Sequence, residues 1–142
     1  MFDQTTGVAA SNPALFTADT TGLGQIAAVN PDGTLNSPAN PAPAGSVLML
    51  FATGEGQSSP AAQDGTLAGA AAAALPHPKQ SVAVAIGGVQ GSFDAGGAPG
   101  EIVGLMQINV VIPLFQSPGS AVPVAIMIGS NYSQVGLTIA VK

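Results

Sequence analysis

The sequence contains no cysteine and no tryptophan, and Lys79 and Lys142 are its only lysine or arginine residues. The missing cysteines exclude disulfides, thiolate catalysis and thiolate metal sites. Two lysines against seven acids leave a net charge of -5. That balance excludes nucleic-acid binding, which depends on neutralising phosphates with Lys and Arg. It also disfavours attachment to an anionic membrane surface. Charged residues make up 6% of the chain, where a soluble domain carries about 25%. Although 46% of the residues are hydrophobic, alanine dominates them. No apolar run approaches the roughly 20 residues of a spanning helix, so no membrane insertion is expected. At Met1 no basic segment precedes an apolar one, so no signal peptide is read in this chain.

What is abundant is punctuation. Nineteen glycines and twelve prolines break 142 residues at short intervals, which favours many short strands over long helices. A chain of this length suits a single domain, 1–142. Within it, 1–45 reads as short strands and a Pro-rich crossover, and 46–142 as the core of the sandwich. In the first part, Leu15-Phe16, Gln25 to Val29 and Thr34-Leu35 are short extended pieces. The turn Asn-Pro-Asp-Gly-Thr (Asn30 to Thr34) joins the last two, because glycine after aspartate accepts positive φ.

From Ser46 the strands lengthen. Ser46 to Thr53 is apolar on both faces and reads as the most buried strand. The stretch from Gly54 to Ala74 is irregular, and its Ala-rich part, near 60–76, is compatible with coil or with one or two helical turns. Pro76 and Pro78 end it. Val82, Val84 and Ile86 then alternate with small residues, Val89 to Asp94 forms another strand, and Gly-Gly-Ala-Pro-Gly-Glu follows as a loop. Met106, Ile108, Val110 and Ile112 recur at every second position, as do Val122, Val124, Ile126 and Ile128, and finally Leu137, Ile139 and Val141. A period of two marks strands with one face in a core. Such strands about ten residues apart predict an all-β antiparallel sandwich with a long Ala/Gly-rich loop.

The faces turned away from that core are unusual. They carry Ala83, Ala85, Gln107, Asn109, Ala125, Met127, Thr138 and Ala140, small or uncharged where charge normally guards a wet strand. Ala83, Ala85, Gln107, Asn109 and Met127 are therefore candidates for a contact face, meeting a neighbouring domain or another copy of the chain. Ala- and amide-rich outer faces without a partner, or cover by the domain's own loops, are the alternatives.

Three long segments carry a family resemblance. They are NPALFTADTTGLGQIAAVNPDGTLNSPANPAPAGSVLMLFATGEG, VAVAIGGVQGSFDAGGAPGEIVGLMQINVVIP and SAVPVAIMIGSNYSQVGLTIAV. In this order they resemble the Solibacter-type C-terminal domain of Acidobacteria, over nearly the whole chain. The second half also looks like IPT/TIG-type immunoglobulin-like domains, in which an Ile-Gly-Gly turn and a Gln-Ile-Asn strand recur. The resemblance implies an immunoglobulin-like sandwich at the end of a large secreted or surface protein, hence an extracellular setting. It implies no activity.

Chemistry has few carriers here. His77 is the only histidine, set between two prolines, and no serine stands in a Gly-x-Ser-x-Gly elbow. A triad assembled from a serine, His77 and Asp64 or Asp94 is the form hydrolysis would take, since triads need not be local in sequence. Glu55, between two glycines after the most buried strand, is a second candidate base, with a carboxylate expected to accept local backbone N–H bonds. Zinc is disfavoured by the shortage of His and Cys. Calcium suits acids in Gly-rich turns, with Asp19, Asp64 and Asp94 as candidate ligands, although no spacing matches an EF-hand. Asp32 and Asp94 also read as turn formers. These observations favour a non-catalytic module for adhesion, docking or assembly. The alternatives are a small ester or lactone hydrolase, with or without calcium, and a carbohydrate-binding module. Tyr132, the single Tyr, is a thin platform for a sugar.

Overall fold

The computed structural model describes residues 7–71 and 75–142. Among them the chain forms strands and no helix. In chain order these are β1 (Ala14–Leu15), β2 (Gly24–Gln25), β3 (Ala28–Val29), β4 (Val47–Thr53), β5 (Ser58–Ser59), β6 (His77–Pro78), β7 (Val82–Ile86), β8 (Val89–Gln90), β9 (Phe93–Gly97), β10 (Met106–Val111), β11 (Gly119–Ile128), β12 (Asn131–Tyr132) and β13 (Leu137–Val141). The first sheet runs β1-β4-β10-β9, with β3 also on β4. The second runs β2-β13-β11-β7-β8, with β12 also on β11, and β5 pairs with β6 alone. Pairing is antiparallel, except that β2 lies parallel to β13 and Ala42 bridges Val141 in parallel.

The period-two reading of the late strands corresponds to what the fold buries. Met106, Ile108, Val110 and Ile112 from the first sheet meet Val84, Ile86, Val124, Ile126, Ile128, Leu137 and Ile139 from the second in one apolar cluster. Ile108 and Ile126 are both 0% exposed. The architecture is an all-β sandwich, as predicted.

Four details depart from expectation, each for a physical reason. β4 is one-sided: Leu48, Leu50 and Ala52 are buried, while Met49 and Phe51 are half-buried and Val47 is exposed. The thin strands β1 and β3 pair with the edge of β4 in the same sheet and leave its outer side half open. Ala140 is buried instead of facing out, because the Asn36 side chain bonds both its N–H and its carbonyl at 2.8 Å, and Ala42 donates to the same carbonyl at 3.0 Å. The stretch Val89 to Asp94 is two strands, one in each sheet, with the change made at Gly91. A Cβ at Gly91 would stand 2.8 Å from the Val111 carbonyl, so the crossing requires glycine.

The fourth departure is Gly96-Gly97, which is strand and not loop. Pro76 and His77 lie directly on this pair. A Cβ on Gly97 would meet the Pro76 ring at 2.9 Å, and one on Gly96 would meet His77 at 3.0 Å. Glycine here is sheet that has given up its side chain so that another segment can cover it. The Ala-rich stretch lies partly outside the described residues, at 72–74, and its described part is not helical.

Residues 7–45 are woven into the sandwich, since β1 and β3 join the first sheet and β2 joins the second. As predicted, the Asp-Gly turn joins two extended pieces. Asn30 N–H donates to Thr34 at 2.8 Å, Gly33 adopts φ 82°, and Val29 bridges Leu35.

Candidate functional site

Three places carry the residues singled out above. The first is a cleft at the end of β4. There the chain reads Gly54-Glu55-Gly56, with φ of 80° and 78° at the glycines. A Cβ on either glycine would run into the backbone carbonyl of Asn12 or of Ala10, so the N-terminal segment lies tight against this turn. Asn12 N–H donates to the Gly54 carbonyl at 2.9 Å. The turn presses Glu55 inward until it is only 6% exposed. Contrary to expectation, no backbone N–H satisfies it: Oε2 is buried without a hydrogen-bond partner. The two glycines shape the chain path and aim no donor at the carboxylate. Burial therefore raises the Glu55 carboxyl above the ordinary glutamate range, and the charge of His77 opposes that rise. Glu55 borders a cleft of about 450 Å³ shared with Gln57, Ser58, Asp64, Lys79 and Val103.

The second place is a small hollow of about 140 Å³ on the outside of the first sheet, between His77, Asp94, Gln107 and Asn109. Register sets Asp94 opposite Asn109, and Gln107 donates to Asn109 at 3.0 Å. His77 is exposed, and its Nδ1 lies 2.7 Å from the Ala95 carbonyl. A carbonyl only accepts, so Nδ1 carries a proton, and in the neutral imidazole Nε2 is left as the acceptor. Ser59 is the cross-strand partner of His77, a neighbour the sequence pattern missed because β5 and β6 are two residues each. Glu55 and His77, the two candidate bases, border different hollows.

The three candidate calcium ligands are dispersed. Asp19 sits in its own turn, where its Oδ1 accepts from the N–H and hydroxyl of Thr21 at 3.1 and 2.8 Å. Those bonds lower its carboxyl below the usual range. Asp64 borders the Glu55 cleft and Asp94 the His77 hollow. Among the described residues no three His, Asp or Glu side chains gather as a metal site would require.

The third place is the outside of the second sheet. Ala83 and Ala85 on β7 stand opposite Met127 and Ala125 on β11, and Met127 also faces Tyr132 on β12. Gln107 and Asn109 belong to the other sheet, so the five proposed contact residues divide between opposite sides of the sandwich. An apolar groove of about 430 Å³ runs past Ala85, Pro123, Ala125, Tyr132, Val135 and Thr138. A second hollow of about 200 Å³ continues it past Ala83 and Met127, sharing Ala85, Ala125 and Tyr132. Tyr132 is 69% and Val135 84% exposed. Neither was singled out as a contact residue, because each lies in a short link with no periodicity to read. None of the strands of the second sheet carries a charged residue.

No family model, no curated protein and no solved structure matches this chain.

Proposed function

We propose that this chain is a non-catalytic, immunoglobulin-like module of a secreted or cell-surface protein, which assembles by docking the outside of its second sheet onto a second copy. The observation that carries the reading is the uncharged groove around Tyr132, rimmed by Val135 and floored by Ala85 and Ala125. A sheet face of small apolar side chains gains by leaving water and permits close face-to-face packing. The absence of charge on this face permits a second copy as the occupant. The chain is net -5, with its acids chiefly on loops, so this face lets two copies meet without opposing like charges. The extracellular setting follows from the family resemblance set out above.

Sedimentation velocity from low to high micromolar concentration tests the proposal. Wild type should associate with rising concentration. Ala125→Glu and Val135→Glu should leave it monomeric, while Gln107→Lys on the opposite side should change nothing. A wild type that stays monomeric at high micromolar concentration overturns assembly, and association untouched by the two glutamates overturns the choice of face.

One observation favours a hydrolytic reading: Ser59 and His77 are paired across strands, with His77 Nε2 left as a base. Turnover of activated esters and lactones, with calcium or with chelator, should then be lost in both Ser59→Ala and His77→Ala. Turnover that is absent, or unchanged in both variants, removes this reading.

A further inference from the structure

We infer that the cleft at the end of β4 binds a small organic ammonium ion through the carboxylate of Glu55. The protein's buried polar groups are unevenly satisfied. Among the described residues the other buried polar side chains are all hydrogen-bonded. Ser11 donates to Ile128, Thr17 accepts from Gly22, Asn30 and Asn36 bond each other, and Ser133 accepts from Ile126. Gln25 Oε1 is also without a donor, but its amide nitrogen is bonded to Asn36 at 2.9 Å. Among the buried polar side chains of the described residues Glu55 alone is ionisable, and its Oε2 meets no donor. A buried carboxylate without donors is the costliest of these groups to leave unmet, and what it lacks is an N–H or O–H, best carried by a cation.

The surroundings select the kind of cation. Glu55 borders an open cleft, and the terminal torsion of glutamate is soft, so either oxygen can turn toward it. Asp64 adds a second carboxylate to the wall and Lys79 an ammonium. A divalent metal would lack a third carboxylate or imidazole and would be opposed by Lys79. An anion would be opposed by Glu55 and Asp64. A monovalent ammonium donates directly to the unmet oxygen, and Val103 offers its alkyl part an apolar wall, with Gln57 and Ser58 available to polar substituents. The cleft, at about 450 Å³, falls within the ~300–1,000 Å³ usual for small-molecule sites. Because the ion binds the ionised carboxyl, affinity falls as pH drops through the raised titration of Glu55. Asp64, Lys79 and His77 are the other titratable or charged groups near it.

The test is a titration of the full chain with n-propylammonium chloride, read by amide chemical shifts, with sodium chloride, calcium chloride and sodium propionate as comparators. Propylammonium should give saturable shifts at Gly54, Gly56, Gln57 and Gly104, weaker at about pH 4 than at neutral pH. Glu55→Gln should weaken binding about tenfold or more, the loss of one charge-assisted hydrogen bond. The inference is overturned by non-saturable shifts, by equal binding to Glu55→Gln, or by a calcium response that saturates at lower concentration than the propylammonium response. If circular dichroism shows Glu55→Gln unfolded, the wild-type pH series and Asp64→Asn decide. Binding that ignores both overturns the inference. Sedimentation and this titration report on different parts of the molecule, so either can fail alone.

Discussion

The two outer faces of the sandwich are built on the same plan and finished differently. Over the first sheet the protein lays its own chain: Pro76 and His77 rest on Gly96 and Gly97, and the hollow that remains is lined by Asp94, Gln107 and Asn109. Over the β7-β11 part of the second sheet runs an open groove of alanines, Met127 and Tyr132. The difference shows that an uncharged strand face has two meanings. On the first sheet the small residues make room for an intramolecular cover. On the second the same smallness leaves an apolar surface for something outside.

The inner faces do not share this asymmetry, and core truncation should show it with the largest effect. Ile108→Ala and Ile126→Ala each remove a side chain that is 0% exposed, one from each sheet. Each should cost about 2–5 kcal/mol in denaturant unfolding, and a much smaller loss at either would mean that the two sheets do not share one interior. The glycine cover comes next. Gly97→Val must push Pro76 off the first sheet and should cost about 1–3 kcal/mol. Ala85→Val, on the open sheet, should stay within about 0.5 kcal/mol. Equal costs would erase the distinction between a covered face and an open one.

The distinction was only half legible in the sequence. A period of two says which side chains share a face, and for β7, β10, β11 and β13 it named the core correctly. It does not say which strands share a sheet, so Gln107 and Asn109 were grouped with Ala83, Ala85 and Met127 although they lie on the far side. The same limit hid Ala140, whose burial depends on Asn36, 104 residues away. Glycine misled at Gly96-Gly97, where turn chemistry and close approach leave the same local signal. Glu55 was visible as an acid between glycines. Its lack of a donor was not, because hydrogen-bond satisfaction is a property of the packed neighbourhood.

Acids sharpen the comparison further, since pH acts oppositely on the buried one and on those at the turns. Burial raises the Glu55 carboxyl, so the folded state holds its proton over a range where the unfolded chain has lost it. Stability therefore falls as pH rises from the ordinary glutamate range through that raised value. Glu55→Gln, which buries a neutral amide in place of a charge, should raise the melting temperature at neutral pH. The gain should shrink toward zero at about pH 3, where glutamate is protonated in both states. A gain of constant size down to that pH would mean that charge burial is not its cause.

The smallest effects belong to Asp19 and Asp32, whose turns frame the short N-terminal strands. Each accepts from the N–H and the hydroxyl of a threonine two residues on, and those bonds lower both carboxyls. The sign is the reverse of that for Glu55: the contribution is present above the ordinary aspartate range and is lost as pH falls through the lowered value. The turns differ in what they join. Asp32 closes a link from β3 back to Leu35 within the first sheet, whereas Asp19 lies where the chain leaves β1 in the first sheet for β2 in the second. Asp19→Ala should therefore loosen the junction between sheets, and Asp32→Ala only an edge. Amide hydrogen exchange separates them. Asp19→Ala should speed exchange at Gly24 and Ile26, whose N–H groups donate to Gly136, just before β13, and to Thr138 within it. Asp32→Ala should speed it at Asn30 and Gly33 alone. Faster exchange at Gly24 and Ile26 in Asp32→Ala would show that the N-terminal strands open as one unit, and the division between the two sheets would stop short of this edge.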